Sequence, residues 1–198
     1  MSASDATEQS QNDNSNIKYY RSQFTYENGI LMCTTVCFHW LVSNILGWSE
    51  PMCLSKIMHS IMSWSAEIHQ MICNRQYGCC KMLYQSELIE QLKVPKEIQL
   101  TEICGSDICA HLPDIDSESE NIIFVTFDQL PNILKHNCGM MLTMGAHTVS
   151  VLNMKGSFYV FDPARASVQK FAYADGGAMI TSLHNNEEEF DGTLFKLK

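Results

Sequence analysis

The chain has 198 residues, enough for one domain of ordinary size with a buried core. Hydrophobic residues make up 45% and charged residues 18% of it, a balance that excludes an intrinsically disordered protein. The formal net charge of −9 argues against nucleic acid or an anionic membrane as the main partner, because clusters of Lys and Arg bind phosphate groups.

The amino-terminal segment, residues 1–17, is polar and has almost no large apolar side chain. Such a segment cannot offset the entropy lost on ordering, so we expect a flexible leader followed by one domain over residues 18–198. It lacks the features of a secretory signal, and no apolar run reaches the ~18 residues of a membrane span. The nine cysteines are odd in number and irregularly spaced. We therefore expect free thiols, no membrane association and an intracellular location, in the cytoplasm or nucleus of a host cell if the source is viral or bacterial.

A helix is predicted to follow the Glu-Asn-Gly turn signal at residues 27–29. In CTTVCFHWLVSNILGW, residues recur at the three- and four-residue spacing of a helix packed on a core, and Gly47 ends the pattern. This stripe consists of Val36, Cys37, Trp40, Leu41, Asn44 and Ile45. Cys33 falls in the first turn of the predicted helix. Between Glu50 and Val94 the periodicity predicts two or three further helices, with a break at NRQYGCC.

The second half of the chain has the β-branched and aromatic composition of strands. Five segments are separated by turn signals, namely IIFVTF, GMMLTM, HTVSVLN, SFYVF and SVQKFAYA. The segment DQLPNILKHNCG interrupts the first two as a loop or short helical turn. Helices at one end and strands at the other predict an α+β fold, in which an amino-terminal helical lobe packs against a carboxyl-terminal antiparallel sheet.

Two of the predicted strands bring a histidine and an aspartate together. If HTVSVLN and SFYVFD are antiparallel neighbours joined at Met154-Lys155, His147 lies directly opposite Asp162 on the same face. A three-residue loop would place the two side chains on opposite faces. An Asp beside a His fixes the ring tautomer and stabilises the imidazolium, as a general base requires. His136 is the alternative base. The other histidines lack a comparable partner in the sequence; they are His39, His59, His69, His111 and His184.

Cys33 is the candidate nucleophile for such a base. At a helix amino terminus, the helix dipole and free N–H groups favour the thiolate over the thiol. Cys37, one turn later, lies on the apolar stripe and is interpreted as a core residue. Upstream, Gln23 offers a side-chain N–H donor, the type of group that completes an oxyanion hole with a backbone N–H. The order of Gln, Cys on a helix, then His and Asp on strands is papain-like.

Two blocks of the sequence resemble the herpesvirus large tegument protein deubiquitinases. SQFTYENGILMCTTVCFHWL is similar to their amino-terminal box, and GSFYVFDPA is similar to their strand ending in Phe-Asp-Pro or Phe-Asp-Ser. The resemblance implies a papain-like cysteine protease that cleaves after the carboxyl-terminal glycines of ubiquitin. It implies that Cys33 is the nucleophile, Gln23 the oxyanion donor and Asp162 the orienting acid. In that family the catalytic His follows the Asp by two positions, where this chain has Ala164.

Because Ala164 cannot act as a base, His147 is predicted to supply it. The implied enzyme needs no cofactor and no metal, its expected partner is ubiquitin or polyubiquitin, and a monomer is expected. The acidic runs DIDSESE and NNEEEFD are predicted to be solvated loops that could meet a basic face such as that of ubiquitin.

Three alternatives remain open. The chain could be a protease for another ubiquitin-like modifier or a peptide processor, a catalytically silent ubiquitin-binding domain, or a small zinc-binding module. The possible zinc ligands lack the paired spacing of a zinc knuckle. They are Cys73, Cys79, Cys80, Cys104, Cys109 and His111.

Overall fold

The computed structural model describes residues 16–18, 22–49, 51, 55–106, 122–183 and 189–198. Most of the predicted leader lies outside these ranges, as do Cys109, His111, His184 and the DIDSESE run. Among the described residues, no helix is both long and apolar enough to cross a bilayer.

Three helices precede most of the sheet: α1 is Cys33–Ile45, α2 is Ser55–Gln76 and α3 is Gln85–Gln91. The predicted first helix is confirmed, with Cys33 as its first residue. More of α1 is buried than the apolar stripe predicts, because every residue except Ser43 is buried between the sheet and α2.

The predicted break between the helices is present but begins three residues into NRQYGCC, after Gln76. Helix α2 continues through Gln76, because Arg75 and Gln76 favour helix and no Gly or Pro precedes Gly78 in this segment. The helical path ends just before Gly78, whose φ of 67° is the left-handed conformation common after helices.

Within the described residues, eight strands form one sheet: β1 Asn16–Lys18, β2 Ile98–Ser106, β3 Ile122–Thr126, β4 Cys138–Met144, β5 His147–Met154, β6 Ser157–Asp162, β7 Ser167–Ala172 and β8 Glu189–Leu197. Their order is β1-β7-β6-β5-β4-β8-β2-β3. The five predicted strands are confirmed as β3 to β7. The sheet is not wholly antiparallel as predicted, because β2 and β3 pair in parallel. The residues between them, 107–121, are numerous enough for the crossover that a parallel pair requires.

The sequence did not reveal β1, β2 or β8. Strand β1 pairs with β7 and begins inside the segment predicted as a leader. Strand β8 includes the end of the acidic run predicted as a loop. Its Phe190 is buried between the exposed Glu189 and Asp191, so the described end of the run is solvated on one face and packed on the other.

Helices cover both faces of the sheet. Helices α1 to α3 pack on one face, in a cluster that includes Met141, Leu152 and Phe161. On the other face, α4 (Leu130–Ile133) and α5 (Gly176–Leu183) contribute to a second cluster. Alternate residues of the central strands belong to the two clusters, which explains why these strands are almost continuously apolar in sequence. The short helix α4 agrees with the helical turn predicted within DQLPNILKHNCG.

The hairpin between β5 and β6 turns one residue later than predicted. Lys155 and Gly156 have φ values of 53° and 74°, and a type I′ turn requires positive φ at both central positions. Val151 therefore opposes Val160, where the predicted register placed Phe158 opposite it. The register shifts by two residues, which leaves every side chain on its predicted face.

Candidate active site

The structure brings His147 and Asp162 together. His147 begins β5 directly after a tight turn, and Asp162 ends β6. The shifted register makes them diagonal neighbours on one face, and such neighbours remain within reach of long side chains. His147 Nε2 lies 3.3 Å from Asp162 Oδ1. The predicted pair is therefore present, although the two residues are not directly opposed as predicted.

The carboxylate of Asp162 is held by more than the histidine. Oδ1 accepts hydrogen bonds from the backbone N–H groups of Ala164 (2.9 Å) and Arg165 (3.1 Å). Oδ2 lies 3.2 Å from Arg165 Nε. Burial raises the pKa of Asp162, but the hydrogen bond and charge of His147, with help from Arg165, outweigh it and lower the pKa below its ordinary value. The carboxylate stays ionised and can orient the imidazole.

Cys33 lies at the amino-terminal end of the helix packed on β5. No side chain caps this end of α1, so its first N–H groups are free of side-chain acceptors. The hydroxyls of Thr34 and Thr148 are 3.1 Å apart, which fixes the first turn of α1 beside the residue that follows His147. The Cys33 side chain is buried, and within the described residues no hydrogen bond joins it to His147.

Cys37 is a core residue, as predicted. It is fully buried, and its thiol donates to the carbonyl oxygen of Thr148 at 3.3 Å. Burial raises the pKa of Cys37 well above its ordinary value, with smaller contributions from Cys33 and Asp162, and the Ser150 hydrogen bond only partly opposes this. This thiol stays protonated and is unsuited to nucleophilic attack.

Gln23 lies in a short 3₁₀ turn, Gln23–Thr25, that contacts the segment after Asp162. Its backbone N–H donates to the carbonyl oxygen of Pro163 at 3.3 Å. Gly29 allows the chain to fold back on this turn, because a Cβ there would lie 1.7 Å from the Gln23 carbonyl oxygen. The Oε1 atom of Gln23 is buried and has no hydrogen-bond partner among the described residues.

The remaining described histidines form no ion pair with a described carboxylate. His136, the alternative base, precedes β4 at the end opposite the turn that leads into His147. Three histidines nevertheless have partners that the sequence did not suggest. The Nδ1 atom of His39 bonds Ser65, that of His59 bonds the Tyr26 hydroxyl, and that of His69 bonds Thr35.

No family model matches the sequence, and no curated protein matches it. Among solved structures, the chain is similar to the ubiquitin-specific protease encoded by murine cytomegalovirus tegument protein M48, solved in complex with a ubiquitin-based suicide substrate. The TM-score is 0.66 at 17% sequence identity, over 93% of this chain and 87% of that one. The Pseudomonas avirulence protein AvrPphB aligns with a TM-score of 0.47 at 13% identity, over 84% of this chain and 92% of that one. The chain has the α+β fold of papain-like cysteine proteases, as the sequence predicted.

Proposed function

We propose that this chain is a deubiquitinase, a cysteine isopeptidase that hydrolyses bonds after the carboxyl-terminal glycine of ubiquitin in the cytoplasm or nucleus. The observation that carries the proposal is the ion pair of His147 and Asp162 at the ends of two strands, beside the helix that begins with Cys33. The similarity in fold to a viral ubiquitin-specific protease supports this choice of substrate.

In the proposed reaction, His147 accepts the proton of the Cys33 thiol, and the thiolate attacks the carbonyl carbon of the carboxyl-terminal glycine of ubiquitin. The tetrahedral intermediate collapses to a thioester as His147 gives its proton to the leaving lysine amine. Water then attacks the thioester. His147 takes a proton from this water and returns it to the departing thiolate, which restores the enzyme. Asp162 remains ionised throughout and holds the imidazole in the required tautomer.

The backbone N–H of Cys33 and the side chain of Gln23 are the proposed oxyanion donors. A half turn of the Gln23 amide exchanges its oxygen and nitrogen, so the position of the unpaired Oε1 can equally present an N–H₂ group. A buried polar group without a hydrogen-bond partner is costly, and a bound ligand can remove this cost. An oxyanion donor needs such a free group, directed at the position where the oxyanion forms.

Cys33 and His147 must approach each other for this reaction, because no hydrogen bond joins them and the thiol is buried. Both members of the ion pair are terminal residues of their strands, and Thr148, which follows His147, already contacts Thr34 in the first turn of α1. Catalytic hydrogen bonds that are long or absent in a free enzyme often form only when substrate is bound.

The test is reaction of the full chain with ubiquitin that carries a carboxyl-terminal electrophile, followed by intact mass. We expect one adduct with the wild type, none with Cys33→Ala and a large loss of rate with His147→Ala. Cys37→Ala is the matched control and should react like the wild type. Adduct formation by Cys33→Ala would overturn the assignment of the nucleophile. Faster reaction with the probe of another modifier would show that this modifier, and not ubiquitin, is the preferred substrate.

A second candidate function is a ubiquitin-binding domain without activity. The buried Cys33, unconnected to His147, favours it. Calorimetry with unmodified ubiquitin separates the two candidates. Binding by a wild-type protein that fails to react with the probe or to cleave a ubiquitin amide supports the silent domain.

A further inference from the structure

A second group of sulfur and nitrogen atoms lies at the carboxyl-terminal end of α2, apart from Cys33. His69 and Cys73 are four residues apart on this helix and therefore share a face. The loop after α2 returns Cys80 to the same place, and the potential ligand atoms of the three residues all lie within 4.8 Å of one another. Cys73 and Cys80 are among the possible zinc ligands of the sequence, whereas His69 is not, because a His four residues before a Cys does not resemble a zinc knuckle.

The distances suit a tetrahedral metal ion. Zinc–sulfur bonds of ~2.3 Å and zinc–nitrogen bonds of ~2.0–2.1 Å place a sulfur and a nitrogen ligand about 3.6 Å apart. His69 Nε2 and Cys73 Sγ are 3.6 Å apart. Two sulfur ligands stand about 3.8 Å apart in the same geometry. Because the ligand atoms lie within 4.8 Å of one another, Cys80 needs to move by only roughly 1 Å to reach these spacings, and it lies in a loop outside any helix or strand.

The surroundings of His69 prepare it to be a ligand. Its Nδ1 atom lies 3.1 Å from the hydroxyl oxygen of Thr35, which can accept the ring proton. This tautomer leaves the lone pair of Nε2 directed at the cluster, as in known metal sites where the second ring nitrogen is held by a neighbour. His69 and Cys73 are buried, whereas Cys80 is half-buried and gives access from solvent. The carbonyl oxygen of Lys81 lies 3.5 Å from Cys73 Sγ and accepts the thiol proton in the metal-free chain.

From this cluster we propose that His69 Nε2 and the thiolates of Cys73 and Cys80 bind a zinc ion, with water in the fourth position. Binding releases the two thiol protons to solvent, so two thiolates balance the charge of Zn²⁺. Cys79 is exposed and stands outside the cluster, and it is not a ligand. The ion connects the end of α2 to the loop that leads into α3. The site shares no residue with the proposed protease, so either proposal can fail alone.

The experiment uses the full chain carrying Cys33→Ala, because the proposed catalytic Cys33 and His147 could also take up zinc. The protein is loaded with Zn²⁺ under reducing conditions, dialysed against a weak chelator, and analysed for metal content and X-ray absorption. We expect about one zinc per chain, with two sulfur ligands at ~2.3 Å and two nitrogen or oxygen ligands at ~2.0–2.1 Å. The melting temperature should rise by about 5–10 °C at saturating free zinc.

Matched variants identify the ligands. Cys80→Ser and His69→Gln should lose the zinc and its effect on melting, whereas Cys79→Ser and Cys104→Ser should keep both. Cys104 is a suitable control because it is a partly buried cysteine on β2, outside the cluster. Zinc content far below one equivalent, retention of zinc by Cys80→Ser, or a Cys73–Cys80 disulfide in the freshly isolated metal-free protein would each overturn the proposal. Circular dichroism at 20 °C confirms that every variant compared is folded.

Discussion

Replacing Asp162 by Asn separates its two roles. The isosteric amide keeps an oxygen that can accept the N–H groups of Ala164 and Arg165, and so keeps the turn after β6. It removes the charge that stabilises a protonated His147, and its N–H₂ group takes the place of Oδ2 beside Arg165. Asp162→Ala removes both the charge and the acceptor.

The two substitutions should therefore differ in stability but not in activity. For proposed catalysis, loss of the orienting carboxylate should lower kcat by about 10³–10⁴-fold in both variants, or about 4–5.5 kcal/mol of activation free energy. The free energy of unfolding should fall by about 1 kcal/mol for Asn, because hydrogen bonds to an uncharged acceptor are weaker. It should fall by about 3 kcal/mol for Ala, which leaves two N–H groups without their acceptor. The Arg165 side chain is 60% exposed, so its ion pair adds little.

The pH dependence of the free energy of unfolding is a second test of Asp162→Asn. The pKa of Asp162 is lower in the folded chain than its ordinary value of 3.8, so its charge stabilises the fold at pH values above about 4. This contribution is lost as the pH falls through the folded pKa. The stability difference between wild type and Asp162→Asn should accordingly shrink on acidification below pH 4.

The assays are hydrolysis of a fluorogenic ubiquitin carboxyl-terminal amide and unfolding in urea. Asp128→Asn is the matched control, since Asp128 is an exposed carboxylate that bonds only the nearby Thr126 hydroxyl among the described contacts. It should leave kcat unchanged. If Asp162→Asn retains kcat within threefold of the wild type, the carboxylate serves only the turn, and the proposed role of the pair with His147 is refuted.

Burial lowers the pKa of His39 to about 4, so between pH 6.5 and pH 4 only the unfolded chain takes up the proton. The free energy of unfolding should therefore be unaffected by His39 above pH 6.5 and fall by up to about 3 kcal/mol as the pH approaches 4. Urea unfolding at pH 7, 6 and 5 checks this. Gly29→Ala should destabilise the chain and slow the ubiquitin probe, since its Cβ would overlap the Gln23 carbonyl; Gly177→Ala, where a Cβ meets nothing within 4 Å, should leave both nearly unchanged. Lys155→Asn should raise the free energy of unfolding by up to about 1 kcal/mol, because Asn-Gly suits the type I′ turn.

Each of these expectations has a result that contradicts it. A stability of the wild type that is constant from pH 7 to pH 5 would show that His39 is not kept neutral by burial. Equal behaviour of Gly29→Ala and Gly177→Ala would show that the close approach to Gln23 does not constrain the fold. A loss of stability in Lys155→Asn would mean that the turn is not limited by the positive φ of this residue.

The structure of the two sequence blocks, which contain α1 and β6, could be predicted because it depends on patterns among neighbouring residues. Helical periodicity and a turn signal identify α1 and its first residue, Cys33. Their β-branched and aromatic composition, bounded by turn signals, identifies β5 and β6. The two-residue period of a strand then predicts which side chains share a face, provided that the hairpin loop has an even number of residues.

Other features depend on contacts between distant parts of the chain. Strands β2 and β8 carry exposed charges and gain their strand character from pairing with each other, which no local pattern indicates. The position of the turn at Lys155 and Gly156 was missed because Lys is an uncommon residue for positive φ.

By itself the sequence determined the fold class and the helix that begins with Cys33, and it placed His147 and Asp162 on one face for a hairpin loop of two or four residues, because periods of 3.6 and 2 residues are visible in neighbouring positions. The tertiary structure alone decided the exact register, the parallel edge of the sheet, the contact between Gln23 and Pro163, and the meeting of His69 with Cys73 and Cys80. Those features join residues through the packing of α1, α2 and the loops around them. Packing of this kind depends on the whole core and produces no periodic pattern in the sequence.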